Sequence, residues 1–340
     1  MEKNNRIWLF TFMVTGSIIF LVISCNKADD NIPALVTTGV SNITQTSAVS
    51  GGRIKGYDSA EYSAFGVCWS INEKPTIDDN ITTDTTSTGI FTSTITGLTP
   101  NTKYYIRAYA TERGDTEYGK VISFTTEDYG TVADIDGNDY KTLTIGTQTW
   151  MIENLKVTHY RNGDPIGNIT ENTEWSTIKI GAYCHYENSL NYNKTYGNLY
   201  NWYALYDDRN IAPAGWHLPT DAEWTKLIDY LINNGFGYQG SGSDICKSLA
   251  SQSGWTVSNT EGATGFEQLT NNSSGFTALP GGCRDPEGLF QYVEGYGFWW
   301  NTTPYSLDNA YYLCIYSHYF DVFRDNCSKR YGFSVRCVMD

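Results

Sequence analysis

Gly215-Trp216-His217-Leu218-Pro219-Thr220-Asp221-Ala222-Glu223-Trp224 is the stretch on which the reading of the second half of the chain turns. Thr220 and Glu223 stand at capping-box spacing with Pro219 just ahead, so a helix starts here. Trp224, Leu227, Ile228, Leu231 and Ile232 give that helix one apolar face, and His217 before it is expected to pack or bond locally. Upstream, Tyr196, Leu199, Tyr200, Tyr203 and Tyr206 recur at helical spacing and predict a second helix with an aromatic, core-facing side. Extended patterns surround the two. An Asp136-Gly137 pair predicts a tight hairpin, and residues 145–151 repeat the form. Residues 298–303, 310–316 and 322–324 read as strands. Residues 332–338 read as a closing strand with Phe333, Val335 and Cys337 on one face. The second half is therefore α+β. Asp134, Asp136 and Asn138 alternate as an EF-hand loop begins, but Ile145 stands where that loop needs its twelfth-position carboxylate, so no calcium site is expected.

The first half reads differently. From 33 to 127, Thr-rich and β-branched runs at 46–54, 64–69, 89–95, 103–110 and 121–126 alternate with turn signals, which suggests an all-β sandwich. Gly97-Leu98-Thr99-Pro100-Asn101-Thr102-Lys103-Tyr104-Tyr105-Ile106 resembles the E–F corner of a fibronectin type III domain. The resemblance implies that Leu98 plugs the core, Pro100 sets the turn and Tyr104 bonds back to the backbone. No ligand site stands out in this part, and Trp69 is expected in its core. The whole is thus a multi-domain chain: a fibronectin III-like domain at 33–127, a linker at 127–130, and a second domain at 133–340.

Ahead of both lies an address. Lys3 and Arg6 precede an apolar run from Ile7 to Ile23, which is read as a lipoprotein signal peptide, residues 1–24. Val22-Ile23-Ser24-Cys25 resembles a bacterial lipobox, implying acylation of Cys25 and a lipidated tether over 25–32. Several acyl chains would hold the protein stably on a membrane, where one alone binds marginally. Asn26-Lys27-Ala28-Asp29-Asp30 resembles the export tag of surface-exposed Bacteroidetes lipoproteins, so the expected place is the outer membrane, facing outward. Asp58-Ser59-Ala60 and Asp84-Thr85-Thr86 resemble short O-glycosylation sites of the same group.

Composition narrows the function. Among 340 residues 40% are apolar and 18% charged, ordinary for a globular chain, but 26 are Tyr and 10 Trp, residues that binding surfaces favour. The net charge is −14, and removing the +1 of the leader (Glu2, Lys3, Arg6) leaves −15 on the remainder. That field, with no cluster of Lys and Arg, argues against nucleic acid as a partner. Besides Cys25 there are Cys68, Cys184, Cys246, Cys283, Cys314, Cys327 and Cys337. An envelope location permits disulfides, Cys68 is the natural odd one out, and the pairing of the other six is left open. Their spacing gives no metal site, and no cofactor is expected.

The C-terminal motifs come in a telling order: Trp150-Met151-Ile152-Glu153-Asn154-Leu155, Gly181-Ala182-Tyr183-Cys184, Tyr196-Gly197-Asn198-Leu199-Tyr200-Asn201-Trp202-Tyr203-Ala204, the Gly215 to Trp224 stretch, Gly275-Phe276-Thr277-Ala278-Leu279-Pro280-Gly281-Gly282 and Gly332-Phe333-Ser334-Val335-Arg336-Cys337-Val338. The series resembles the Fibrobacter succinogenes major paralogous domain of bacterial envelope lipoproteins. The resemblance implies the C-type-lectin-like fold shared by formylglycine-generating enzymes and variable ligand-binding proteins, with the ligand surface in the last third of the domain. There the chain offers Tyr305, Asn309, Tyr312, Tyr316, His318, Tyr319, Arg324 and Asn326. Formylglycine generators need two closely spaced reactive cysteines, whereas Cys314 and Cys327 are 13 apart and Cys327 and Cys337 are 10 apart. No Ser-His-Asp, HExxH or phosphate-loop pattern replaces them, and no catalytic residue is assigned. The expected function is non-catalytic recognition of a glycan or protein ligand, in adhesion or glycan capture. The alternatives are a structural envelope component packing on partner subunits and a formylglycine-generating-like enzyme.

Overall fold

A computed structural model describes residues 35–57, 62–240 and 242–340. The leader, Cys25, its tether and the 58–60 tripeptide lie outside the described residues. In the first part, β1 (Leu35–Thr37), β2 (Ala48–Ile54) and β5 (Ile90–Ile95) form one sheet. The second sheet contains β3 (Tyr62–Ser70), β4 (Asn80–Ile81), β6 (Lys103–Glu112) and β7 (Asp115–Tyr118), with β8 (Ile122–Thr125) also on β6. Alternation sorts each strand: in β5, Phe91, Ser93 and Ile95 point inward while Ile90, Thr92 and Thr94 face water. Val67, Ile95, Ile106 and Ala108 make a fully buried centre, with Trp69 packed at its edge. The expected corner is present, with Leu98 buried and the Thr99 N–H donating to the Tyr104 hydroxyl at 3.0 Å. Gln45 joins the two parts. Its amide nitrogen donates to the Asp128 carbonyl at 2.9 Å, and its carbonyl accepts from the Thr144 N–H at 2.9 Å.

The second part begins with two hairpins, β9 (Gly130–Ala133) to β10 (Asp139–Ile145) and β10 to β11 (Gln148–Met151). β9 thus starts inside the expected linker. Asp134 organises the first turn. One carboxylate oxygen accepts the Asp136 and Asn138 N–H groups at 2.9 Å each, and the other accepts the Tyr140 hydroxyl at 2.6 Å. Asp136 instead reaches another segment, its carboxylate accepting the Thr158 hydroxyl at 2.8 Å and lying 2.6 Å from His159 Nδ1. Two short strands complete that sheet, β15 (Trp216–His217) and β21 (Val338–Met339), in the order β15-β21-β11-β10-β9. A small sheet joins β12 (Gly167–Asn168), β13 (Ala182–Cys184) and β14 (Leu199–Tyr200). A third is ordered β17-β16-β18-β19-β20, from β16 (Gly281–Arg284), β17 (Phe290–Val293), β18 (Tyr296–Pro304), β19 (Asn309–Tyr316) and β20 (Phe323–Ser328). The long helix is the expected one, Asp221–Asn233, with both halves of the capping box formed and Trp224, Leu227 and Leu231 buried.

Two expectations fail. The aromatic run at 196–206 is not one helix. A helix ends at Tyr196, Gly197 takes φ +75°, β14 intervenes, and one further turn follows at Trp202–Leu205. The break is fixed by side chains, since Asn198 donates to the Lys156 and Val157 carbonyls at 2.9 and 3.2 Å. Residues 332–338 are likewise not a regular strand. The segment is extended but pairs in isolated bridges with three different segments: Gly332 with Arg284, Phe333 with Tyr200, and Ser334 with Trp299. Only Val338 enters a sheet. Phe333, Val335 and Cys337 do share one core, as the alternation requires.

The motifs meet at buried polar nodes. Arg336 is fully buried and no carboxylate is bonded to it. Its Nε donates to Asn154 Oδ1 at 3.0 Å, and its terminal nitrogens donate to the Phe276 carbonyl and, at 2.7 Å, to the Thr277 carbonyl. Asn154 Oδ1 also accepts from Trp299 Nε1 at 3.0 Å, while its Nδ2 donates to the Tyr196 carbonyl at 2.8 Å. Asn201 ties the 181–184 motif in the same way, accepting from the Ala182 N–H and donating to the Ile180 carbonyl, both at 2.9 Å. Arg336→Met leaves two loop carbonyls without donors and is expected to cost about 3 kcal/mol or more. A lowered urea midpoint at unchanged slope would register it.

His217 sits between two carboxylates, Nε2 at 2.6 Å from Glu223 and Nδ1 at 2.7 Å from Asp340. Burial works against its charge, but hydrogen bonds and attraction from both acids outweigh it and raise the pKa. For Glu223 burial works upward, and is outweighed by bonds from Thr220 and His217 that lower it. The His217 contribution is therefore complete below its unfolded pKa of about 6.5 and is lost as pH rises through the folded value. The Glu223 contribution is present above about 4.5 and lost as pH falls through its folded value. Melting temperature against pH should fall on the alkaline side of this window, and His217→Asn should flatten that fall.

Candidate binding site

The third sheet carries the site on one face. In register, Tyr296 opposes Tyr316, Phe298 opposes Cys314 and Trp300 opposes Tyr312. Next along, Tyr312 opposes Asp325 and Ala310 opposes Cys327. The pleat sends these residues to one side and Trp299, Leu313 and Ile315 to the other, where they pack towards the long helix. Over the first face the chain leaves an open cavity of about 250 Å³. Tyr296, Phe298, Tyr312 and Tyr316 come from β18 and β19, Cys327 from the edge strand β20, Cys283 and Tyr292 from β16 and β17, and Tyr331 and Phe333 from the closing segment. The rings form a continuous wall. Tyr292 and Tyr296 have centroids 4.8 Å apart, Tyr296 and Tyr316 meet edge-on at 4.5 Å, and Phe298 stacks on Phe333 at 4.9 Å.

Burial governs its chemistry. It raises the Tyr312 and Tyr316 pKa values, with nearby thiols adding, and takes Tyr331 up to about 12, helped by Cys327, Cys283, Asp285 and Glu287. Burial also pushes Cys283 up to about 12, with Asp285 adding, and raises Cys327. These three phenols and both thiols are neutral at pH 7. Both thiols are therefore poor nucleophiles, and the cavity offers contact area and hydrogen bonding instead.

The eight residues expected to bind ligand are split by the pleat and the turns. Tyr312 and Tyr316 line the cavity, and Tyr319 reaches its edge, 5.7 Å from the Tyr316 ring. Asn309, Arg324 and Asn326 alternate to the opposite face. There Asn309 Nδ2 donates to Asn326 Oδ1 at 3.1 Å, and Arg324 is held by Asp221 at the start of the long helix. His318 lies exposed in the β19–β20 turn. Tyr305 belongs to a separate shelf of about 470 Å³ with Trp202, Tyr206 and Leu307, where Trp202 and Tyr206 stack at 4.7 Å. One contiguous surface from all eight is thus corrected to a cavity, a shelf and a back face. Sequence reading missed Cys283, Tyr292, Tyr296, Phe298, Cys327, Tyr331 and Phe333. Alternation within 296–300 and 310–316 was the available signal, while the β16–β17 and C-terminal contributions had none.

All seven described cysteines are free thiols, so none of the pairings left open among the last six is made.

Fold and site together define a β-rich chain of two parts, with an aromatic cavity on the second. Residues 143–339 match the Fibrobacter succinogenes major domain, more than half of the chain, and the protein belongs to that family. No curated protein matches it. Several solved structures are similar over 28% of the chain. The sensor domain of the anti-sigma factor RsgI4 of Pseudobacteroides cellulosolvens shows 16% identity over 76% of its own chain, with a TM-score of 0.23. A fibronectin type III domain from the human KIAA0970 protein shows 17% identity over 74% of its chain, with a TM-score of 0.21. A computationally redesigned β-sandwich protein shows 27% identity over 97% of its chain, with a TM-score of 0.22. The fibronectin-like character of the first part rests on its two sheets and the Tyr104 corner, not on these scores.

Thiol titration checks the cysteine assignment. Seven thiols beyond Cys25 should react with Ellman's reagent in denaturant without reductant. In the native protein at neutral pH hardly any should react quickly, because all but the half-buried Cys327 are buried. A count of five or fewer would mean that a bridge exists.

Proposed function

We propose that this chain is an outer-membrane lipoprotein, acylated at Cys25 and facing outward, whose second domain is a non-catalytic recognition head of C-type-lectin-like fold. The fibronectin-like part serves as a spacer from the membrane. The ligand is a glycan or a protein, met in adhesion or glycan capture. The observation that carries this reading is the cavity, in which seven of nine lining side chains are aromatic and the remaining two are protonated thiols. Tyrosines supply broad, stiff contact area with polar tips, which suits sugar faces and peptide side chains alike. The Tyr305 shelf is a second aromatic surface on the same domain, shallow enough to stack on a sugar ring.

The test is a glycan array probed with the full chain in a polyoxyethylene detergent, beside Tyr316→Ala for the cavity and Tyr305→Ala for the shelf. Selective binding that falls about tenfold or more in Tyr316→Ala, with the melting temperature kept, is the expected result. A loss confined to Tyr305→Ala would move the site to the shelf. Silence on every glycan would remove the lectin reading and leave a protein partner.

A further inference from the structure

We infer that the tyrosine cavity is an aromatic cage for an alkylated ammonium group, such as the trimethylammonium head of choline. This rests on the cavity being the ligand seat and names the chemistry it takes. Five tyrosines and two phenylalanines present their π-systems to one small space, and ring faces attract cations. Acidic groups stand near this space without lining it. Asp325 stands directly across the strand pair from Tyr312, and Asp285 and Glu287 both act electrostatically on Tyr331. Asp285 is held in place, accepting the Leu289 N–H at 2.8 Å and the Gln291 side chain at 2.6 Å.

The basic residues nearest in sequence are all engaged elsewhere. Arg284 lies 4.6 Å over the Trp175 ring and bonds the Ile169 and Thr170 carbonyls. Lys329 lies 4.4 Å over Trp202, Arg330 bonds the Ser176 carbonyl, and Arg324 pairs with Asp221. Among the described residues, no lysine or arginine lies over any ring of the cavity, although such pairs recur elsewhere in the chain. An anion would meet negative ring faces and no basic side chain among the lining residues. A cation would complete the set.

Size agrees. About 250 Å³ lies below the roughly 300–1,000 Å³ of pockets for drug-sized ligands, so the space takes a small head group, free or carried on a larger glycan or protein. The mouth is shaped with some strain, for Tyr292 takes φ +67° and Glu294 φ +65°. Left-handed backbone is unusual for a bulky aromatic residue and tends to persist where a site demands it. Here it holds the half-exposed Tyr292 ring against Tyr296 at the rim.

The experiment titrates the full chain, in a polyoxyethylene detergent, with choline, phosphocholine and the neutral isostere 3,3-dimethylbutan-1-ol, followed by ligand-observed NMR and calorimetry. Choline is expected to bind about tenfold or more tightly than the isostere. Phosphocholine should bind more weakly than choline, because the carboxylates repel its phosphate. This ordering separates a free ammonium ligand from a phosphate-borne head group, and phosphocholine binding more tightly would transfer the assignment to the latter. Tyr296→Leu should weaken choline about tenfold and leave the isostere unchanged. Asp325→Asn should weaken choline a few-fold, with a smaller effect in high salt. Equal binding of choline and the isostere would overturn the cation inference while leaving the cavity as a recognition site. No binding of either at about 20 mM would overturn the inference outright, and the glycan array would then decide the recognition reading independently.

Discussion

The second domain depends on a guanidinium buried without a carboxylate. Arg336 keeps its charge in the interior, so its donors must find oxygen atoms, and they find them on Asn154 and on the carbonyls of Phe276 and Thr277. Burial of this kind is costly unless every donor is used. The constraint therefore propagates. Asn154 must stay turned to Arg336, and its amide in turn fixes the Tyr196 carbonyl. Arg284 repeats the device between 169–172 and the Gly288 carbonyl, clamped between the rings of Trp175 and Phe290. A domain with one long helix and mostly short strands holds irregular chain in place through such nodes.

This gives the family motifs a physical meaning. Asn154, Tyr196, Asn198, Asn201, Phe276, Thr277 and Arg336 come from four of the stretches that carry the resemblance, and they meet as donors and acceptors at the buried nodes. Trp224, from the stretch beginning at Gly215, packs at 4.7 Å on Trp150 from another. The motifs therefore encode a scaffold. The cavity draws mainly on residues outside them, Tyr292, Tyr296, Phe298, Tyr312, Tyr316 and Cys327, with only Phe333 in a motif and Cys283 and Tyr331 beside one. A frame held by such nodes leaves the wall of the cavity free to differ, since a site is grafted on a fold and not set by it.

The cavity also explains why the aromatic richness of the chain is not all of one kind. Trp150, Trp224 and Phe276 are packed edge and face in the core under the long helix, with the Arg336 guanidinium 4.3 Å over the Phe276 ring. The tyrosines of β18 and β19 lie on the other side of the same sheet, half exposed, beside carboxylates and protonated thiols. One sheet thus covers the core under the long helix on one side and, on the other, a second core that opens into the aromatic cavity.

The sequence by itself determined what depends on short-range chemistry. The capping box at Thr220 and Glu223 is set by residues three apart, the Tyr104 corner by residues five apart, and strand alternation by a period of two. It misread 196–206 because helical spacing of aromatics is indistinguishable, in one dimension, from a turn held open by Asn198 and Asn201 bonding to carbonyls on other segments. It grouped eight ligand residues by proximity in the chain, although alternation sets Asn309 against Tyr312 and Tyr316, and the register of β20 on β19 puts Arg324 and Asn326 on the Asn309 side. Only the tertiary structure could bring Cys283, Tyr292, Tyr331 and Phe333 to the same wall, or leave the neighbouring arginines and lysines pointing away from it. Those placements depend on buried hydrogen bonds between residues more than a hundred positions apart, and no local pattern records them.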